Sequence, residues 1–167
     1  MSAAENAPKA PILRPPLEPL WLSAARRAVW GLLIGLVVAL VFVVLDHRKA
    51  NSVSQVCMQA RIIFLQYHAE KSAWPMDCDL AAPGGQFGGF NLEPMTTAVA
   101  KCQVSGKWVF QAKSPSGGPA VVFTPAEPGR SYERAFWVAD GWVDDGHADK
   151  GSLLVREDVA LLRLSAE

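Results

Sequence analysis

The chain has 167 residues, of which 50% are hydrophobic and 19% are charged. This length suits about one ordinary domain, and the composition is too apolar for a chain that is disordered throughout. Lys plus Arg and Asp plus Glu balance at 16 each, which argues against nucleic-acid binding through a large basic surface. The three cysteines are too few for a disulfide-rich small fold and lack the paired spacing of a zinc module. Composition therefore excludes several classes of protein but names no activity.

The strongest single signal is the apolar stretch 28–45, AVWGLLIGLVVALVFVVL, eighteen residues without a charge. Arg26 and Arg27 precede it, and a charged collar, Asp46 to Lys49, follows it. As a helix it extends over roughly 27 Å, enough for the hydrocarbon core of a bilayer. The rival interpretation is a cleaved signal peptide, whose apolar region is usually shorter and ends in a small-residue cleavage pattern. No such pattern follows Leu45, so we predict a transmembrane helix over 28–45.

The segment 1–27 contains five prolines and no residues that could form a core, which predicts a disordered tail. Lys and Arg counts close to the apolar stretch are similar on its two sides and do not decide its direction. Because the tail resembles a cytoplasmic extension, we expect a single-pass inner (cytoplasmic) membrane protein. Its N-terminus would be cytoplasmic, and its body would be periplasmic or extracytoplasmic.

Two features predict where this helix contacts other helices. Gly31 and Gly35 form a GxxxG pair inside the apolar stretch, which would let a second helix approach closely. Over 46–75 an amphipathic helix is predicted with a wide apolar face and a narrow one. We call the narrow face, Met58, Ile62 and Leu65, the narrow stripe. It either lies under a loop of the same chain or contacts another subunit.

Beyond Trp74-Pro75, where the helix should stop, residues 76–106 are predicted to form an irregular connection rich in Gly and Pro. Over 107–167 short β-rich runs predict an antiparallel meander of three to five strands. The predicted strands are 107–112, 120–124, 134–139, 141–143 and 152–155, with a hairpin turn at Asp140-Gly141. Its apolar face is expected to take Trp108, Phe110, Val122 and Trp137. The last segment, EDVALLRLSAE, is compatible with a short helix or an edge strand.

This order of parts resembles the type IV pilins and the pseudopilins of type II secretion. The most specific stretch runs from Arg48 to Pro75, with a start similar to R-A-N, an amphipathic helix, and a Trp-Pro stop. The resemblance implies an α+β fold in which the N-terminal transmembrane helix continues into an amphipathic helix packed on a small antiparallel sheet. It also implies that the partners are the lipid bilayer and other pilin-like subunits or proteins of a secretion apparatus.

The N-terminal residues depart from the family's processing pattern, in which a glycine follows a basic residue and a glutamate occupies the fifth mature position. If Gly31 marked the cut, that fifth position would be Leu36, and Ala28 to Trp30 would separate Gly31 from Arg27. We therefore expect an uncleaved protein without the usual prepilin peptidase motif. The intact mass of the membrane-extracted protein tests this expectation.

Cysteines and acids supply two further hypotheses. Outside the cytoplasm, Cys78 and Cys102 could oxidise and close a loop of about 25 residues, with free thiols as the alternative. The segment DGWVDDGHADKG carries Asp140, Asp144, Asp145 and Asp149, whose oxygens suit calcium. The resemblance adds that some pseudopilins hold calcium in a late loop, whereas acids in turns are more often only solvated. Apart from calcium, no cofactor is expected.

We find no sequence context for catalysis around any of the three histidines, so the chain is not expected to be an enzyme. The leading expectation is a membrane-anchored, pilin-like structural component of a pilus or a type II secretion-like assembly. The alternative is a membrane-tethered extracytoplasmic module that binds a ligand or a protein and forms no filament. Nucleic acid is not an expected partner.

Overall fold

The structure is a computed structural model that describes residues 19–127, 130–144, 146, 147, 151–156 and 158–164. Contacts divide the chain into two units, Met1–Leu40 and Val41–Glu167. The described residues form an α+β protein with one long apolar N-terminal helix and one antiparallel sheet of five strands. The expected class, a helix with a small antiparallel sheet, is therefore present, and five strands lie within the predicted three to five, while the strand order and the structure of residues 134–143 differ from the meander predicted.

The first helix, α1, runs over Leu20–Lys71. It begins directly after Pro19, whose carbonyl oxygen accepts a hydrogen bond from the backbone N–H of Leu22 at 2.9 Å. Part of the predicted tail, residues 20–27, is therefore helical, because LWLSAARR has no proline and is rich in helix-favouring residues. Residues 1–18 of that tail lie outside the described part. Helix α1 is long and apolar enough to cross a membrane, and its most apolar window is not buried in the protein.

Helix α1 ends at Lys71, where the Trp-Pro stop predicts its end. Ser72 takes a left-handed backbone conformation with φ 53°, and its N–H donates to the carbonyl oxygen of His68 at 2.8 Å. This is the hydrogen bond that closes a helix through a left-handed residue. The chain then turns toward Trp74, whose ring stacks on His68 with centroids 4.2 Å apart.

Five strands form the sheet in the order β1-β2-β3-β5-β4, and all neighbouring pairs are antiparallel. Their bounds are β1 Cys78–Asp79, β2 Gly106–Gln111, β3 Ala120–Pro125, β4 Leu153–Val155 and β5 Ala160–Arg163. The predicted strands 107–112, 120–124 and 152–155 correspond to β2, β3 and β4. The simple meander is wrong, because β5 lies between β3 and β4 instead of forming an edge.

The connection 76–106 is more ordered than the irregular segment we expected. It holds β1, a single 3-10 turn at Gly85–Phe87 and the helix α2, Glu93–Ala100. The Oδ1 atom of Asn91 accepts a hydrogen bond from the N–H of Glu93 at 3.1 Å, and Pro94 lies in the first turn. Both are ordinary starting signals of a helix. The side chain of Met95 anchors α2 in the core.

The predicted strands 134–139 and 141–143 are wrong, as is the Asp140-Gly141 hairpin turn between them. Both lie in one helix, α3, Arg130–Val143. Its inward residues recur at intervals of three and four, which is the period of a helix. They are Tyr132, Ala135, Phe136 and Ala139, all buried, followed by the half-buried Val143.

The main core lies between one face of the sheet and the helices. Trp108 and Phe110 point into it as predicted, and the Phe64 ring of α1 stacks on Phe110 with centroids 4.3 Å apart. Val122 alternates to the opposite face, where it forms a small cluster with Leu154 and Leu161. Trp137 is exposed on α3. The predictions for Val122 and Trp137 are therefore wrong. Val122 points to the opposite face because side chains alternate along a strand, and Trp137 lies on a helix instead of a strand.

Candidate functional site

The narrow stripe lies on the exposed side of α1. Met58 is 44% exposed, Ile62 58% and Leu65 38%, so the described part of the chain does not cover it with a loop. The three residues recur at intervals of four and three, which places them on one side of the helix. Apolar side chains grouped in this way on a surface make the stripe a candidate for contact with another molecule.

The stripe is exposed because the wide apolar face of α1 is already occupied. Val53, Val56, Phe64 and their neighbours on that face are fully buried in the main core. The ring of Phe64 also meets Phe87 edge to face, with centroids 5.8 Å apart. The helix cannot turn the stripe inward without exposing this set, so the orientation of α1 is fixed by packing.

Polar residues border the stripe on both sides. On one side the Nε2 atom of Gln66 donates to Oε1 of Glu70 at 2.9 Å. On the other, His68 is held against Trp74. The stripe is therefore a narrow apolar strip between polar edges.

Gly31 and Gly35 lie in the first unit. A Cβ atom added at either glycine would meet nothing within 4 Å, so both leave the helix surface open. Beside them the side chains of the helix form a shallow groove of about 210 Å³. It is lined by Trp30, Leu33, Ile34, Val37 and Val38. Association of a second helix at this pair remains a prediction.

All three cysteines are free thiols, so the predicted Cys78–Cys102 bridge is not formed in the structure. Cys78 lies on β1 and pairs with Phe110, which stacks on Phe64 of α1. The Sγ atom of Cys102 lies 3.8 Å from Oγ of Ser52. Since Ser52 and Phe64 are separated by about 18 Å of helix, the two cysteines lie near different parts of α1. A disulfide requires Cα atoms within about 7 Å.

Burial makes two of these thiols poor nucleophiles. The pKa of Cys57 is raised to about 12, first by burial and then by the neighbouring Cys102 and Asp140. The pKa of Cys78 is raised to about 11 by burial and by the flanking Asp77 and Asp79. The reactive form of a cysteine is its thiolate, which a raised pKa suppresses. Neither environment suits nucleophilic catalysis.

The four aspartates of the calcium hypothesis do not share one loop. Asp140 is fully buried within α3, not at a turn. Asp144 follows that helix, and its Oδ2 atom accepts a hydrogen bond from the N–H of Ser152. Asp145 and Asp149 lie outside the described residues. The residues that are described contain no group of three or more His, Cys, Asp or Glu placed to hold a metal ion.

Two grooves lie beyond the residues that the sequence singled out. One, of about 310 Å³, is mostly polar and is lined by Lys49, Gln103, Val104, Ser105, Ala126, Glu127 and Tyr132. The other, of about 460 Å³, lies where the apolar stretch ends and is completed by Trp142 of α3. Sequence reasoning missed the larger groove because it treated residues 134–143 as strands, and it missed the smaller one because it placed no helix at Tyr132. The helical period of Tyr132, Phe136 and Ala139 was the signal that could have revealed them.

Comparison with known proteins does not assign the chain to a group. No family model matches it, and neither a curated protein nor a solved structure is found to be similar.

Proposed function

We propose that this protein is a membrane-anchored, pilin-like structural subunit of a pilus or a type II secretion-like assembly. The observation that carries the proposal is the narrow stripe, an exposed apolar strip on the same helix as the apolar stretch 28–45. In this proposal the stretch anchors the chain in the inner membrane, and the stripe contacts a neighbouring subunit.

Anchoring makes such a contact more favourable. Met58 follows Leu45 by roughly 20 Å of helix, so anchored copies present their stripes at a similar height above one membrane. Confinement to the membrane also raises the effective concentration of one copy around another. Even a small apolar contact can then support assembly.

The test is photo-crosslinking of the full chain in native membranes, with a photoreactive phenylalanine analogue in place of Met58. We expect crosslinks to another copy or to a second pilin-like subunit, identified by mass spectrometry. The substitution Ile62→Asp should decrease these crosslinks several-fold, because it places a charge in the apolar contact. Its melting temperature should stay close to that of the wild type, since Ile62 is exposed.

Two variants on the same helix separate assembly from folding. Lys71→Gln changes the net charge by the same amount at an exposed residue on the opposite side of α1, nine positions from Ile62, and should leave the crosslinks unchanged. Val53→Asp places a charge in the core and should lose stability and crosslinks together. If Ile62→Asp leaves the crosslinks intact, or loses them only in proportion to stability, the stripe is not an assembly surface.

The alternative, a tethered binding module that forms no filament, is favoured by one observation. The polar groove of about 310 Å³ has a size typical of small-ligand sites and combines Lys49 with Glu127. Opposite charges of this kind suit a zwitterionic ligand such as a short peptide. A rise in melting temperature of the detergent-solubilised monomer with short peptides, absent in Lys49→Gln, would favour this function over assembly.

A further inference from the structure

The larger groove lies at the base of the second unit, where the apolar stretch meets the charged collar. It has a volume of about 460 Å³, within the range of ordinary ligand sites of about 300–1,000 Å³. Its lining combines two apolar residues of α1, three polar residues of the next turns and one aromatic ring of α3. These are Val43, Val44, His47, Arg48, Asn51 and Trp142.

Trp142 closes the groove from the side of α3. Its ring meets the ring of His47 edge to face, with centroids 5.6 Å apart and planes inclined by 66°. Nevertheless, 47% of Trp142 is exposed. A large aromatic side chain that is fixed by one neighbour and open on its other face is suited to contact a further molecule.

The α1 residues that line the groove change from apolar to polar toward the C-terminal end of the helix. Val43 and Val44 belong to the apolar stretch, whereas Arg48 and Asn51 follow its end. In a bilayer, the same change occurs from the hydrocarbon to the headgroups. Tryptophan is enriched at that boundary, because its ring is amphipathic.

We propose that this groove binds an anionic phospholipid of the surrounding membrane. The acyl chain lies along Val43, Val44 and the ring of Trp142, and the phosphate lies at the guanidinium of Arg48. Arginine binds phosphate through paired hydrogen bonds and keeps its charge. The lipid would thereby tie the C-terminal end of α3 to the membrane surface. This inference rests on the membrane anchor of the proposed function, and it does not depend on the assembly surface.

The occupant is a lipid because of where the groove lies in the chain. Its apolar end is made by residues of the stretch proposed to lie in the membrane, so lipid is the molecule present there at the highest concentration. The adjacent Arg48 and Lys49 favour a negative headgroup over a neutral one. A second copy of the chain is the competing occupant, and the experiment separates the two.

The test uses the full chain reconstituted as single copies in nanodiscs of phosphatidylcholine. One set of discs contains a minor fraction of phosphatidylglycerol with brominated acyl chains, and the other contains the same fraction of brominated phosphatidylcholine. Bromine quenches nearby tryptophan fluorescence. The difference between wild type and Trp142→Phe isolates the emission of Trp142, and Trp137→Phe isolates that of Trp137, an exposed ring on the same helix outside the groove.

We expect brominated phosphatidylglycerol to quench Trp142 roughly twofold more than brominated phosphatidylcholine, with no such difference for Trp137. Arg48→Gln should abolish the preference of Trp142 for the anionic lipid. Lys71→Gln, which removes the same charge at the C-terminal end of α1, should keep it.

Equal quenching of Trp142 by the two lipids would overturn the proposal of an anionic-lipid site. Absence of quenching by either lipid would also overturn it. In a second set of discs that hold two copies each, loss of the quenching seen with single copies would assign the groove to a second copy. A chain that does not incorporate into nanodiscs at all would instead disprove the membrane anchor. These outcomes therefore distinguish a groove that does not bind anionic lipid from a chain that is not anchored in a membrane.

Discussion

At the scale of single residues, Gly106 shows how closely the sheet is packed where β2 begins. A Cβ atom built at Gly106 would overlap the ring of Phe123 and the carbonyl oxygen of Thr124. Phe123 is fully buried and packs against Trp108 and Phe136, so its ring has little freedom to move. Glycine is thus required here by the close approach of a neighbouring strand, which the sequence alone does not reveal.

We predict that Gly106→Ala lowers the free energy of unfolding by about 1–3 kcal/mol, because an overpacked core must shift to accommodate the methyl group. Denaturant unfolding of the full chain in detergent measures the change. Gly85→Ala is the matched control, since a Cβ there meets nothing within 4 Å. Equal stability of the two variants would show that Phe123 moves aside without cost.

Cys57 predicts a dependence of stability on pH. Its pKa in the folded protein is about 12, against an ordinary value of 9.0. Folding therefore favours the neutral thiol, whose contribution to stability is complete below about pH 9 and is lost as the pH rises toward 12. The loss should approach roughly 1.4 kcal/mol per pH unit within this window.

The measurement is the free energy of unfolding between pH 8 and 12, in wild type and in Cys57→Ala. We expect the variant to lose less stability per pH unit than the wild type. Cys78→Ser is the comparison. The pKa of Cys78 in the folded protein is about 11, so the contribution of its neutral thiol to stability is lost as the pH rises toward 11. A wild-type slope retained in Cys57→Ala would contradict the assignment to this thiol.

At the scale of elements, a helix or strand is predictable from the sequence when its own residue pattern fits one type of secondary structure clearly better than the other. Helix α1 was predictable from its unbroken apolar stretch, its period and its Trp-Pro stop. Strands β2 and β3 were predictable from β-rich runs between turn signals. Helix α3 was not, since RAFWVADGWV has the aromatic content of a strand and contains Asp-Gly, although its buried residues follow a helical period. The place of β5 between β3 and β4 depends on long-range pairing, which local pattern does not encode.

The same limits apply to the candidate site. The narrow stripe could be located from the two apolar faces of one helix, but the sequence left open whether a loop of the same chain covers it, and its exposure is seen only in the structure. The groove at Trp142 was not predicted, because it joins residues nearly 100 positions apart and because residues 134–143 were interpreted as strands instead of a helix. The buried position of Asp140 was missed for the same reason.

The helical assignment of α3 predicts opposite effects at adjacent residues. Phe136 is buried against Trp108 and Phe123, whereas Trp137 is 57% exposed. Phe136→Ala should lower the free energy of unfolding by about 3–5 kcal/mol. Trp137→Ala should change it by no more than about 0.5 kcal/mol. Denaturant unfolding of both variants in detergent is the measurement, and a larger loss at Trp137 would favour the strand.

At the scale of the whole molecule, the apolar helix and the folded second unit imply different surroundings. The side chains from Val29 to Val44 are largely exposed in the protein itself, which is unfavourable in water and favourable in lipid. The second unit has its own core of buried residues from helices and sheet. The chain thus combines a lipid-suited segment with a body that has the core of a water-soluble domain.

The proposed orientation predicts the outcome of protease protection. Protease added to spheroplasts, which exposes only the periplasmic side, should digest the body after Asp46 and leave an N-terminal tag protected. Both parts should be digested when detergent opens the membrane. Digestion of the tag and protection of the body in intact spheroplasts would reverse the orientation, and release of the chain by alkaline carbonate would remove the membrane span.

Because β5 lies between β3 and β4, a chain that ends before β5 lacks the strand that joins them. Among the described strands, β4 pairs only with β5, and Ala120–Phe123 of β3 also pair with β5. A nascent chain that has emerged only as far as residue 156 therefore carries one strand without a neighbour and one open, apolar edge. Such edges recruit strands from other chains. A chain in this state should therefore aggregate more readily than one in which β5 has paired with β3 and β4.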